Sequence, residues 1–177
     1  MLSEIVLIVF FFILLIYSII IHEVSHGFVA LWLGDPTAKY AGRLNLNPVK
    51  HVDPTGSILV PLIMYYAFNF AFGWAKPVPY NPYNLRDQKW GPALVALGGP
   101  VSNILVAVLF AIIAKFIGIT SALKIDIVGH FINLGDYEKV MDWSSLAVLI
   151  QSSFGAIFFA ICSMIIFWNV VLSFFNL

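Results

Sequence analysis

Three polar side chains inside an apolar run are the residues of this sequence best suited to chemistry. His22 and His26 are four positions apart, and Glu23 follows the first histidine, in the order His-Glu-x-x-His. A helix places residues four apart on one face, so both imidazoles can bind one metal ion. Glu23 lies beside that face, where it can accept a proton from a water molecule that the metal activates. Catalytic zinc uses three protein ligands and one open position, and this stretch predicts two of the ligands.

The run around this motif is long enough to cross a lipid bilayer. His22, Glu23 and His26 are the only histidine or charged residues between positions 5 and 34. A spanning helix needs about 20 apolar residues. A charged group at mid-membrane costs at least ~2.5 kcal/mol, so such a group marks a functional site by default. The competing interpretation, a chance occurrence of the spacing, does not explain three polar groups in lipid.

The composition is that of an integral membrane protein. The 177 residues are 61% hydrophobic and 10% charged, whereas soluble domains are about 25% charged. The length suits one domain, covering 1–177, with the lipid bilayer as a partner. The formal net charge is zero, and the absence of a basic run gives no reason to expect a nucleic-acid partner. The single cysteine, Cys162, is interpreted as a small buried hydrophobe.

We predict an all-α polytopic membrane protein with about four transmembrane segments and a short β-strand or loop region between the first and the second. The predicted segments run from Ile5 to Leu33, Gly56 to Phe72, Pro92 to Ile117 and Leu146 to Leu177. The first is interpreted as a retained helix, because a basic n-region and a small-residue cleavage site are missing from it. The stretch from Thr120 to Ser145 is predicted to be a loop.

The connection after the first segment contains two further patterns. Arg43 to Asn47 alternates polar and apolar residues, which is typical of a half-buried strand. His51 and Asp53 are two positions apart and are either additional metal ligands or, as the better interpretation, residues that turn or cap the chain before the next helix.

Asn103 is an uncharged polar residue deep in the third segment, one helical turn after Gly99. Two roles are open for it. It either hydrogen-bonds a neighbouring helix, or it faces the metal site and binds substrate.

The third metal ligand is not evident from spacing. The remaining acidic candidates downstream of the motif lie outside the predicted segments: Asp35, Asp53, Asp87, Asp126, Asp136, Glu138 and Asp142. None of them is placed by the sequence next to the two histidines.

Motifs along nearly the whole chain resemble the site-2 protease family of intramembrane zinc metalloproteases, specifically its short prokaryotic members. They are His22–Gly27, Arg43–Pro48, His51–Gly56, Phe72–Pro79, Gly99–Asn103 and Asn169–Leu177. The resemblance implies an endopeptidase that cleaves transmembrane segments of other membrane proteins, with zinc on His22 and His26, Glu23 as the general base and Asn103 holding the substrate. As a further hypothesis, an extended substrate pairs with the edge of the predicted strand at Arg43–Asn47.

The same family pattern continues with a Pro-rich turn and an Asp-Gly whose aspartate is the third zinc ligand. The sequence ends at Leu177, before that position, so we expect the domain to be C-terminally incomplete and the chain as given to be inactive if the ligand is missing.

Orientation follows a weak charge bias. Basic residues are more frequent on the side of the membrane that holds the loop 34–55, which predicts that this side is cytoplasmic. We expect a multi-pass protein of a prokaryotic cell membrane, with its active site nearer the cytoplasmic face. Two alternative functions stay open: a non-enzymatic metal-binding membrane protein or transporter, and a catalytically inactive membrane scaffold. The lack of internal repeats disfavours a transporter, and a buried general base disfavours a scaffold.

Overall fold

A computed structural model of the chain describes residues 2–68, 74–132 and 141–175. The described residues contain helices and irregular segments but no strand. The α-helices, in chain order, are α1 (Leu2–Trp32), α2 (Thr37–Tyr40), α3 (Val60–Phe68), α4 (Gly91–Lys115), α5 (Ser121–Gly129), α6 (Trp143–Ile150) and α7 (Phe154–Phe175). Within the described ranges, α1, α4 and α7 are long and apolar enough to cross a membrane. The predicted all-α membrane architecture is therefore confirmed at this level.

The chain forms two compact units. We call Met1–Ser18 together with Asn103–Phe175 the aromatic unit, and Ile19–Ser102 the motif unit. Helices α1 and α4 each contribute one stretch to each unit, and the His-Glu-x-x-His motif belongs to the motif unit.

Aromatic rings form the core of the aromatic unit. The ring of Phe11 lies 4.6 Å from that of Trp168, 5.0 Å from Trp143 and 6.0 Å from Phe167, measured between centroids. Such separations are those of favourable ring pairs. The indole N–H of Trp168 donates to the Phe11 carbonyl over 3.0 Å, so the apolar cluster also carries a directional contact between α1 and α7.

The second predicted segment, Gly56 to Phe72, lies partly outside the described residues. A π-helix over Pro54–Leu59 continues into α3. These six and nine residues together are shorter than the about 20 that span a bilayer. The described part of the chain therefore contains three candidate spans, where the sequence predicted about four.

The fourth predicted segment, from Leu146 to Leu177, is wrong as a single helix. It consists of α6 and α7, separated by Gln151, Ser152 and Ser153. The Ser153 hydroxyl accepts a hydrogen bond from the Ala156 N–H over 3.1 Å, which is how a serine caps a new helix. Three consecutive polar residues thus end one helix and start the next.

The prediction of a loop from Thr120 to Ser145 is wrong at both ends, because α5 occupies Ser121–Gly129 and α6 begins at Trp143. The Thr120 hydroxyl accepts from the Leu123 N–H over 3.3 Å and caps this helix. Residues 133–140 of the predicted loop lie outside the described residues.

The predicted strand at Arg43–Asn47 is also wrong. The side-chain oxygen of Asn45 accepts from the Asn47 N–H over 3.0 Å, and that of Asn47 accepts from the Val49 N–H over 3.1 Å. Asparagine side chains compete in this way with a strand ladder for backbone donors. The alternating pattern therefore encodes a series of turns.

Candidate metal and catalytic site

The two motif histidines lie side by side on α1. Their ring centroids are 4.7 Å apart and the rings are nearly perpendicular, with an angle of 81°. His22 is buried and His26 is half-buried. The spacing of four residues therefore brings both imidazoles to one place, as the sequence predicted.

Gly99 of α4 marks the point at which the two imidazoles converge. A Cβ atom added to Gly99 would lie closer than 3.0 Å to Nε2 of His22 and to Nε2 of His26. Both nitrogens thus face one small space, which only a residue without a side chain leaves open. Zinc binds imidazole nitrogen at about 2.0–2.1 Å, so two nitrogens aimed at one point fit this metal as ligands.

The other nitrogen of His26 is held by the backbone of α4. Its Nδ1 lies 2.7 Å from the Val95 carbonyl, a distance at which Nδ1–H donates to the oxygen. The Gly99 N–H lies 3.3 Å from the same Nδ1, and the shorter contact decides the tautomer. A proton on Nδ1 leaves the Nε2 lone pair available, which is how metal-binding histidines are commonly oriented.

Glu23 is oriented by a loop. Its Oε2 accepts a hydrogen bond from the Val78 N–H over 3.0 Å. The loop comes close to α1 because of Gly27, where an added Cβ would overlap with the side chains of Val78 and Leu44. The carboxylate next to His22 therefore has a defined partner on one oxygen.

The segment 74–78 is itself held from several sides. The Lys76 N–H donates to the His51 carbonyl over 2.9 Å, and the Trp74 N–H donates to the Gly56 carbonyl over 3.0 Å. The buried guanidinium of Arg43 donates from Nη2 to the Lys76 carbonyl over 2.6 Å. The loop that contacts Glu23 is thus hydrogen-bonded to His51 and Gly56, which lie on either side of the first residue of the π-helix.

Asp35 joins the end of α1 to the loop that leads into α4. Its fully buried carboxylate accepts from the Asn81 N–H over 2.6 Å, from the Asn84 amide over 2.9 Å and from the Thr37 N–H over 3.1 Å. Burial raises the pKa of Asp35, but the hydrogen bonds from Thr37, Asn81 and Asn84 outweigh it and place the pKa below its ordinary value.

His51 and Asp53 have the turn and cap roles that were the better interpretation. His51 Nε2 donates to the Asn45 carbonyl over 2.8 Å. Asp53 Oδ2 accepts from the Gly56 N–H over 3.0 Å and from the Trp74 indole N–H over 3.1 Å, which caps the following helix. Across the described ranges, no group of three His, Cys, Asp or Glu side chains is arranged to hold a metal ion. The third ligand therefore stays a prediction without an assigned residue.

Asn103 is fully buried in α4, one turn after Gly99, and belongs to the aromatic unit. Its predicted contact with substrate stays a prediction, as do the metal-binding roles of His22 and His26 and the catalytic role of Glu23.

Sequence reasoning missed Asp35 and Val78 as parts of the site, and it assigned Arg43 to a strand. Asp35 carried one signal, because it follows Gly34 directly at the end of α1 and is the first charged residue after the motif. Val78 carried none, since it contributes its backbone N–H.

Two curated proteins are similar to the chain. "Putative zinc metalloprotease YwhC" of Bacillus subtilis is 44% identical over 93 residues, which are 52% of this chain and 39% of that protein. "Putative zinc metalloprotease Rip2" of Mycolicibacterium smegmatis is 30% identical over 92 residues, which are 52% of this chain and 34% of that protein. Each match thus covers less than two fifths of the relative. No family model and no solved structure matches the chain.

The names of both relatives imply zinc, which agrees with the paired histidines of α1. Both relatives are bacterial, and the three candidate spans of this chain are consistent with a protein of the cell membrane. Over about half of its length the chain is homologous to these two putative zinc metalloproteases, and over that half the resemblance that its motifs indicated is confirmed.

Proposed function

We propose that the chain acts as a zinc-dependent intramembrane endopeptidase that cleaves transmembrane segments of other membrane proteins. The observation that carries the proposal is the convergence of His22 Nε2 and His26 Nε2 over Gly99, and Glu23 follows His22 directly on the same helix. All three side chains belong to α1, a candidate membrane span. The homology to two zinc metalloproteases supports the same chemistry.

His22 and His26 are the residues that would hold zinc. When bound, zinc supplies Lewis acidity that activates water and polarises a peptide carbonyl. His26 keeps its Nε2 lone pair for this task because the Val95 carbonyl binds its Nδ1–H.

Glu23 is the proton carrier in this proposal. The Val78 N–H occupies Oε2, so Oε1 is the oxygen that takes a proton from the attacking water. Glu23 then delivers the proton to the amine that leaves when the peptide bond breaks. A general base must lie within hydrogen-bond reach of the proton that it takes, and the bond from Val78 restrains the carboxylate on one oxygen only.

The substrate must lose its helical structure locally, because the peptide carbonyls of a transmembrane helix are bonded within the helix. Pairing with a strand at Arg43–Asn47 is withdrawn, since that segment forms turns. Asn103 keeps its proposed role as a side chain that binds the unwound substrate. We place the protein in a prokaryotic cell membrane, with the site nearer the cytoplasmic face.

The first experiment is Glu23→Gln in the protein expressed from its own gene, reconstituted in liposomes with single-pass transmembrane reporters. Zinc content per chain is expected to stay that of the wild type, while cleavage falls by at least about 100-fold, as expected for loss of a general base. Glu4→Gln makes the same change at the start of the same helix and controls for altered charge. Cleavage by Glu23→Gln at the wild-type rate would refute the proposal.

Asn103→Ala tests the substrate role separately. The variant is expected to cleave more slowly while its zinc content is unchanged. Loss of zinc in this variant would show that Asn103 supports the metal site or the fold.

A further inference from the structure

One peptide group lies between a buried cation and the carboxylate of Glu23. The Pro77 carbonyl and the Val78 N–H belong to the same planar amide. The N–H donates to Glu23 Oε2 over 3.0 Å, and Arg43 Nη2 lies 3.4 Å from the Pro77 oxygen. The stronger bond of Arg43, over 2.6 Å, goes to the preceding carbonyl, that of Lys76. The guanidinium therefore restrains two consecutive carbonyls, and the second is rigidly connected to the donor that holds Glu23.

The burial of Arg43 shows that this contact is more than surface packing. The side chain is 7% exposed, and a buried cation is costly unless polar groups compensate it. An apolar side chain of similar volume fills a buried position at no such cost. What a guanidinium adds is a planar fork of donors with one fixed direction. Here one nitrogen of that fork, Nη2, contacts both carbonyls of the loop, while the buried Nε has no hydrogen-bond partner among the described residues.

No other backbone donor in the segment can replace the Val78 N–H. Lys76, Pro77, Val78 and Pro79 together carry two amide hydrogens, since proline has none. The Lys76 N–H is bonded to the His51 carbonyl over 2.9 Å. The Val78 N–H is therefore the single backbone donor that this segment directs at Glu23.

We propose that Arg43 is a positioning residue that holds the Pro77–Val78 amide on Glu23 and so keeps the carboxylate in its working orientation. This inference rests on the proposed function, in which Glu23 is the general base. A cation on the carbonyl of an amide also strengthens the N–H of that amide as a donor, because hydrogen bonds in a chain polarise one another. Loss of Arg43 releases Glu23 without removing a metal ligand.

Hydrogen exchange tests the proposal without using catalysis. Residues 76–79 carry two amide hydrogens, those of Lys76 and Val78. Hydrogen exchange measured at single amides therefore gives the rate at Val78, and the rate at Lys76 serves as an internal reference. In Arg43→Ala we expect exchange at Val78 to rise by about 10-fold or more, as for loss of one protecting hydrogen bond, with a smaller change at Lys76. Glu23→Ala, which removes the acceptor, is expected to raise exchange at Val78 in the same way. An unchanged Val78 rate in Arg43→Ala would overturn the proposal.

Turnover tests the consequence for Glu23. Val78→Pro removes the N–H in a segment that is already rich in proline, and Val78→Ala removes the side-chain packing against Gly27 but keeps the N–H. The difference between these two variants isolates the hydrogen bond. We expect kcat of Val78→Pro to be about 10–100-fold below that of Val78→Ala, the usual effect of losing a residue that orients a catalytic group, with equal zinc content and similar KM. Equal kcat in both variants would overturn the proposal.

Arg43→Lys keeps the charge but loses the fork, so partial recovery of both exchange protection and kcat relative to Arg43→Ala is expected. A failure of the proposed function is distinguishable. If Glu23→Gln cleaves as fast as the wild type, Glu23 is not the base, yet Val78 exchange still decides whether Arg43 holds this amide on Glu23.

Discussion

The aromatic unit and the motif unit differ in what orders their side chains. In the aromatic unit, rings surround Phe11 and one indole N–H adds a hydrogen bond. In the motif unit, Asp35, Arg43 and Glu23 each bind backbone groups that are more than 30 residues away in the chain. Apolar packing is non-directional, whereas each of these polar bonds determines an orientation.

The difference follows from the surroundings of a membrane protein. Lipid tails are as apolar as leucine, so helices in a bilayer associate through packing and a few polar contacts. Such packing determines where the helices lie, but it does not determine the orientation of a carboxylate side chain. The motif unit is therefore where we expect most single substitutions to change the site, while substitutions in the aromatic unit other than at Asn103 should report on stability alone.

The largest effect is expected for Asp35→Ala. The change leaves the Asn81 N–H, the Thr37 N–H and the Asn84 amide without their acceptor, at about 1–3 kcal/mol for each buried donor that water cannot reach. We expect a loss of about 3 kcal/mol in the free energy of unfolding, together with loss of cleavage. Asp142→Ala, which removes the partly exposed N-cap of α6 in the aromatic unit, is the matched control and should cost less. Equal losses, measured by denaturant titration in detergent micelles, would contradict the contrast between the units.

Acid should weaken the same bonds. The pKa of Asp35 is lowered in the folded chain, and hydrogen bonds from Ser144 and Ser145 lower the pKa of Asp142 to about 2. A lowered folded pKa contributes stability above the unfolded value, near 3.9, and this contribution is lost as pH falls through the folded value. Unfolding followed from pH 5 to pH 2 should show this loss in the wild type and a smaller one in Asp35→Ala.

Gly99→Ala should affect zinc more than stability. The new methyl would overlap with Nε2 of both histidines, and overpacking of this kind costs about 1–3 kcal/mol. If this energetic cost displaces the histidine nitrogens from the zinc position, zinc affinity falls about 10–100-fold. Gly118→Ala in the aromatic unit is the control, because a Cβ there meets nothing within 4 Å. Unchanged zinc affinity in Gly99→Ala, measured by competition with a chelating dye, would exclude this glycine as the floor of the metal site.

The smallest effect is expected for the polar pair of the aromatic unit. The side-chain amide of the buried Asn169 donates to the Ser18 hydroxyl over 2.9 Å and to the Ile165 carbonyl over 2.8 Å. A double-mutant cycle of Asn169→Ala and Ser18→Ala should give a coupling of about 0.6 kcal/mol, the average for such pairs in membranes. Zinc content should not change in any variant of the cycle. A coupling above about 2 kcal/mol would show that polar bonds also dominate this unit.

The helices and the histidine pair could be predicted because their signals are local. Four-residue spacing determines the shared face of His22 and His26, and apolar runs of more than 20 residues predict α1 and α4. Asp53 was predicted as a turn or cap residue for a similar reason, since an aspartate before Pro54 favours a helix start.

The parts that failed depend on competition or on distant partners. The period of two at Arg43–Asn47 predicted a strand, but the two asparagine side chains take the backbone donors first. The break before α7 has a local signal, three consecutive polar residues in an apolar run. The bonds of Arg43 and Asp35 reach loops 33 to 49 positions away, and no local pattern encodes such partners.

The proline spacing of the loop beside Glu23 has a consequence for how the protein avoids unwanted association. Both amide hydrogens between residues 76 and 79 are already bonded inside the chain, and Arg43 covers the carbonyls of Lys76 and Pro77. An extended segment with unsatisfied backbone groups would recruit a passing strand. In this segment both amide hydrogens and the first two carbonyls are already bonded, so a second polypeptide finds few free backbone groups there with which to form a strand ladder.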